Sequence, residues 1–70
     1  MYLIEADGIL SKVYYSKVFP NWSSEIEKAT IFTAMNEAIG RENYLKNNGI
    51  TARMVECPHE VLLGANRVVH

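Results

Sequence analysis

An α+β fold of two layers, one main helix on a small antiparallel or mixed sheet, is predicted by three features of the sequence. Thr33 to Gly49 carries an apolar stripe at helical spacing between a capping residue and a glycine stop. Upstream, Asp7-Gly8 separates two runs of large and branched residues, which is a hairpin signal. Downstream, Ile50 to Cys57 alternates like a strand, and His59 to Val69 holds enough branched residues for a second one. The predicted order is β-β-α-β-β, in a single domain of 70 residues.

Tyr2 to Ala6 forms the first predicted strand. Asp7-Gly8 suits a type I′ turn, whose two central residues both need positive φ. The second strand then runs from Ile9 to Val18, with Ile9, Val13 and Tyr15 on one face and Leu10, Tyr14 and Val18 on the other. Phe19-Pro20-Asn21 ends it, since proline has no N–H to give a ladder. Ser23 or Ser24 is placed to cap a short helical turn whose first residues are acidic. Thr30-Ile31-Phe32 is expected to be an extended link that carries Phe32 into the core.

In the main helix Thr33 is the expected cap, and Ala34, Met35, Ala38, Ile39 and Leu45 fall on one arc at about 100° per residue. Gly40 lies outside that arc and weakens the helix by about 1 kcal/mol, which a strand or second subunit pressed close would explain. Glu42 stands inside the stripe. It must reach to solvent, pair with a sheet cation such as Lys12 or Arg53, or serve as a functional acid; pairing or snorkelling is the expected outcome. Asn47-Asn48-Gly49 stops the helix. In the following strand Ile50, Ala52 and Met54 face one way, and Thr51, Arg53 and Val55 the other.

The totals narrow the function classes. A chain of this length hides only about 60% of its extended surface on folding, so a partner subunit is a natural supplement to its core. Cys57 is the single cysteine, which excludes an internal disulfide and fits a reducing cytoplasm. Seven basic and eight acidic residues give a net charge of −1 with no basic block, so neither nucleic acid nor an anionic membrane is an expected partner. The N-terminus lacks the pattern of a signal peptide, and no apolar run is long enough to span a bilayer.

Cys57-Pro58-His59 brings a soft and a nitrogen ligand together, with His70 as a distant third. A structural zinc needs four ligands, so no metal is expected, and Cys57 reads as a small apolar residue at a strand end. Nor does His59 have an orienting group that would make Cys57 a nucleophile. No phosphate loop, carboxylate pair or Ser-His-Asp set can be assembled, so neither an enzyme nor a cofactor is expected. The aromatic residues are the better candidates: Tyr14, Tyr15, Phe19, Trp22 and Tyr44 supply the side chains that anchor protein interfaces.

Two resemblances add to this. The hairpin, then Trp22-Ser23-x-x-Ile26-x-Lys28-Ala29-x-x-Phe32, then a helix with Ala38, resembles small uncharacterised phage and prophage proteins. That resemblance implies a mobile-element origin and a chain that acts by binding a host protein. The segment from Ile31 to Val69 is similar to a family of sulfur or selenium carriers with a ferredoxin-like half, at Phe32, Ala38, Glu42, Leu45, Gly49, Ile50, Pro58 and Glu60. The carriers' Gly-Cys or Cys-Gly pair is replaced here by Leu62-Leu63-Gly64-Ala65, so only the fold analogy carries over. The sequence thus predicts a cytoplasmic protein-binding module, a homodimer and an inhibitor or modulator of a host protein or defence system. A ferredoxin-like small-ligand or sulfur-relay accessory module is the alternative.

Overall fold

The computed structural model describes residues 1–58 and 68–69. The fold is built around β1, Tyr2–Asp7, whose residues Leu3 to Ala6 are all buried. Alternation sends Ile4 and Ala6 into one apolar cluster and Leu3 into a second, on the opposite face. A strand covered on both sides explains why this run is almost continuously apolar.

Strand β5, Ala52–Glu56, pairs antiparallel along the length of β1, from Tyr2↔Glu56 to Ala6↔Ala52. The other side of β1 is shared. Strand β2, Lys12–Tyr15, takes its end through Glu5↔Tyr14 to Asp7↔Lys12, and the short β4, Ile31–Phe32, takes its start at Tyr2↔Phe32. Sharing one strand between two neighbours curls the sheet. The two-residue β3, Trp22–Ser23, extends β2, and β6, Val68–Val69, runs parallel to β4.

Helix α1, Met35–Asn47, covers the face carrying Ile4, Ala6, Tyr15, Phe32 and Ala52. The protein is therefore α+β, a main helix on a small sheet, as its sequence predicts. The opposite face is closed by Ala29, Ile31 and Cys57, with Ile26, in a 3-10 turn at Ile26–Lys28, packed against them.

Several elements differ from expectation. The Asp-Gly turn is a four-residue loop: Asp7 pairs with Lys12, and the Gly8 N–H donates to the Ser11 carbonyl at 2.8 Å. Gly8 is needed for closeness instead of positive φ, because a Cβ there would lie 2.6 Å from the Ser11 oxygen. Strand β2 accordingly starts at Lys12, and Ile9 and Leu10 stand in the loop. Two short strands, β3 and β4, also intervene before the helix.

At the start of α1, Ala34 occupies the N-cap and provides no side-chain bond, so Thr33 is not the cap. Of the predicted stripe, Ala38 and Leu45 are buried, but Met35 and Ile39 are 49% and 38% exposed. The helix is rolled so that its contact face centres between half-buried Arg41 and Glu42. Gly40 faces open space, with nothing within 4 Å of where a Cβ would be, so no strand or other described group presses on it. Ser23 does not cap the 3-10 turn; its Oγ accepts the Glu25 N–H, and Glu25 holds the cap position without a side-chain bond.

Other expectations agree with the structure. Phe32 is 1% exposed. Gly49 has φ +80°, its N–H reaches the Lys46 carbonyl, and the Ile50 N–H reaches that of Leu45. That pair of bonds is a Schellman closure, and Ile50 joins the cluster containing Leu45 beneath it. Ala52, Met54 and Ile50 pack toward α1 while Val55 packs on the other face. The strand expected from His59 to Val69 lies outside the described residues except for Val68–Val69.

Candidate functional site

The five aromatic candidates separate into three environments. Tyr15 is 7% exposed and packs edge-on against Trp22, ring centroids 5.5 Å apart at 72°. The Arg41 guanidinium lies 5.6 Å from the Tyr15 ring and 5.0 Å from that of Tyr44, so α1 and β2 are joined through a cation between two phenol rings. Tyr15 is therefore an interior residue, Trp22 its half-buried support, and Tyr44 the exposed outer wall. Tyr14, one residue earlier, points through the sheet and packs against the second cluster.

Phe19 is the candidate that the fold leaves outside, at 87% exposure, with Val18 beside it at 73%. Their loop is closely tied. Ser16 and Asn21 are linked by the Ser16 N–H to the Asn21 carbonyl at 2.7 Å and by Asn21 Nδ2 to the Ser16 carbonyl at 2.8 Å. The Asn21 N–H also reaches the Val18 carbonyl, and the Lys17 N–H donates to Thr30 Oγ1 at 2.9 Å. Asn21 takes φ +74°, a conformation asparagine adopts more readily than most residues, and the Phe19-Pro20 peptide is cis. Behind this loop runs an apolar groove of about 520 Å³ lined by Val18, Phe19, Pro20, Trp22 and Ala29 among others.

At the opposite end of β2 the hairpin tip exposes Ile9 and Leu10 almost completely, at 100% and 97%. Sequence reasoning placed both in a strand and missed them. The available signal was local: two adjacent aliphatics break a period of two, and they are bracketed by Gly8 and Ser11. The base of this hairpin is clamped by charge. Arg53 Nε donates to the nearly buried Glu5 at 2.9 Å, Arg53 also reaches Asp7 at 3.3 Å, and Lys12 Nζ lies 3.5 Å from Glu5. Its hydrogen bond to Asp7, then that to Glu5, holds the Arg53 guanidinium above its ordinary pKa.

Lys12 and Arg53 are thus engaged with Glu5, and Glu42 pairs with neither. Its Oε2 accepts the backbone N–H of Met54 at 2.9 Å, a side chain of the helix closing a position on β5. Cys57 is buried at 6% exposure, and its N–H donates to the Met1 carbonyl. His59 and His70 lie outside the described residues. Among the described residues no three His, Cys, Asp or Glu side chains are grouped to hold a metal, and no helix is long and apolar enough to cross a membrane.

No family model matches this chain, and neither a curated protein nor a solved structure is similar to it. Its function must be argued from its own surface.

Proposed function

We propose that this chain is a small protein-binding module that anchors itself on a partner through the Ser16–Asn21 loop. The observation that carries this reading is Phe19, a large aromatic side chain 87% exposed on a loop fixed by its own hydrogen bonds. An aromatic residue held outside the core gains little within the folded chain, whereas burial in a partner's pocket would be worth about 1.5–3 kcal/mol. A tied loop also loses little entropy on docking. The occupant is a protein with a concave apolar pocket, since Val18 and Phe19 stand out into solvent and the tip they form carries no charge. Ile9 and Leu10 offer a second convex contact at the other end of β2. An inhibitor or modulator of a host protein acts in this way, by occupying a surface without chemistry.

The test places a photo-crosslinking phenylalanine analogue at position 19 and irradiates cells that express the chain. A single stoichiometric adduct that disappears in the Val18→Ser variant supports the reading. Crosslinks spread without preference over abundant proteins, or none at all, overturn it. The homodimer reading rests on the small core, and a monomer mass in light scattering ends it.

A further inference from the structure

A second cleft, which shares only Lys17 with the apolar groove among their lining residues, opens between α1 and the start of the Ser16–Asn21 loop. It is an open depression of about 520 Å³ lined by Lys17, Phe32, Glu37, Gly40, Arg41 and Tyr44. The two cations are held in place by rings: Lys17 Nζ lies 5.5 Å from the centre of Phe32, and Arg41 sits between Tyr15 and Tyr44. Neither joins any of the four ion pairs formed among the described residues. For Arg41 this is informative, because Glu37 stands four residues earlier, the spacing at which a glutamate and an arginine pair on a helix. The guanidinium instead turns to the rings, and its N–H fork has no carboxylate partner among the described residues.

Gly40 sharpens the argument. It is a helix-interior glycine, a residue that weakens a helix, and nothing within 4 Å would obstruct a side chain. Packing therefore gives no reason for it. Its place on the cleft wall does, because any side chain there would narrow the space in front of Arg41.

We infer that this cleft is a binding site for a small phosphomonoester. Two cations that form no ion pair among the described residues suit a dianion, with Arg41 offering a planar fork and Lys17 a point charge. Glu37 on the same wall would repel a bare anion but accepts a hydrogen bond from a hydroxyl adjoining the phosphate. The site shares Lys17 with the Ser16–Asn21 loop but does not depend on the protein-binding reading.

The test is a titration of the 15N-labelled protein at fixed ionic strength with glycerol 3-phosphate, with inorganic phosphate, and with glycerol. A phosphoserine peptide forms a separate arm, since the same group can come from a modified protein. Saturable amide shifts confined to Lys17, Gly40, Arg41 and Tyr44 with glycerol 3-phosphate are expected. Affinity should fall at least about tenfold in Lys17→Gln and in Gly40→Leu. Gly40→Leu fills the cleft without touching the core, so loss of binding in a folded variant is a clean result. Tighter binding of the peptide would assign the site to a phosphorylated partner segment. Non-saturating shifts, or wild-type affinity in both variants, overturn the proposal.

Discussion

The Glu42 carboxylate accepts the Met54 N–H at 2.9 Å and so closes a position on β5 that β1 does not use. Met54 stands opposite Ile4, and in an antiparallel pair alternate residues direct their N–H away from the partner strand. The acid in the helical stripe is therefore a hydrogen-bond acceptor built into the helix–sheet contact. Removing it leaves a half-buried amide unsatisfied. Glu42→Ala should destabilise the fold by about 1.5–3 kcal/mol, and Glu42→Gln by less, because its amide oxygen can still accept. Urea unfolding measures both; a change within about 0.5 kcal/mol for the alanine variant would remove the role. The unsatisfied edge should also make the alanine variant more prone to associate, which light scattering would detect.

Gly40 gives a prediction of opposite sign. Its exposed helix-interior position has room for a methyl group, so Gly40→Ala should stabilise by about 0.5–1 kcal/mol. The sequence alone suggested that something presses close to this glycine. A loss of stability, especially one that deepens with protein concentration, would show that a second copy sits there after all.

Glu5 is the deepest charge of the hairpin clamp, at 9% exposure, with Arg53 as its nearest partner. Glu5→Gln should destabilise by about 1 kcal/mol, less than a fully buried charged bond because Arg53 is partly in solvent. The pH dependence has a definite sign. A cation whose folded pKa is raised keeps its stabilising contribution below the unfolded value and loses it only as pH rises through the folded one. Arg53 is raised above its ordinary value, so this clamp should not weaken through loss of the guanidinium charge up to about pH 10. Urea midpoints for wild type and Glu5→Gln should differ by the same amount from about pH 7 to that limit. Convergence of the two within that range would show that another group, and not Arg53, holds Glu5.

How much of this was legible in the sequence depends on whether the signal was local. The Gly49 stop, the alternation of Ile50 to Val55 and the opposed faces of Tyr14 and Tyr15 follow from chain geometry and could be read directly. The roll of α1 could not. Ala34, Met35, Ala38, Ile39 and Leu45 define a broad arc, and only the packing of Arg41 against Tyr15 decides which edge of it meets the sheet. Glu42 was visible as an anomaly, but its partner is a backbone N–H, which no residue type announces. The hairpin misled for a similar reason. Asp-Gly favours a two-residue turn, yet pairing Ala6 with Val13 puts buried Ala6 and half-buried Val13 together on the helix side, and that register leaves Ile9 and Leu10 in the loop.

The buried Cys57 separates the protein-binding reading from the sulfur-relay alternative. A relay thiol must meet its donor as an accessible thiolate, whereas this side chain is 6% exposed and packs with Leu3, Ala29 and Ile31. In the native protein, labelling by a thiol reagent should be slower than in urea by orders of magnitude, tracking the opening of the fold. Cys57→Ala should cost about 1 kcal/mol from the small cavity it leaves and preserve any partner adduct formed through position 19. Rapid labelling under native conditions, together with loss of that adduct in Cys57→Ala, would instead place the chemistry at the thiol.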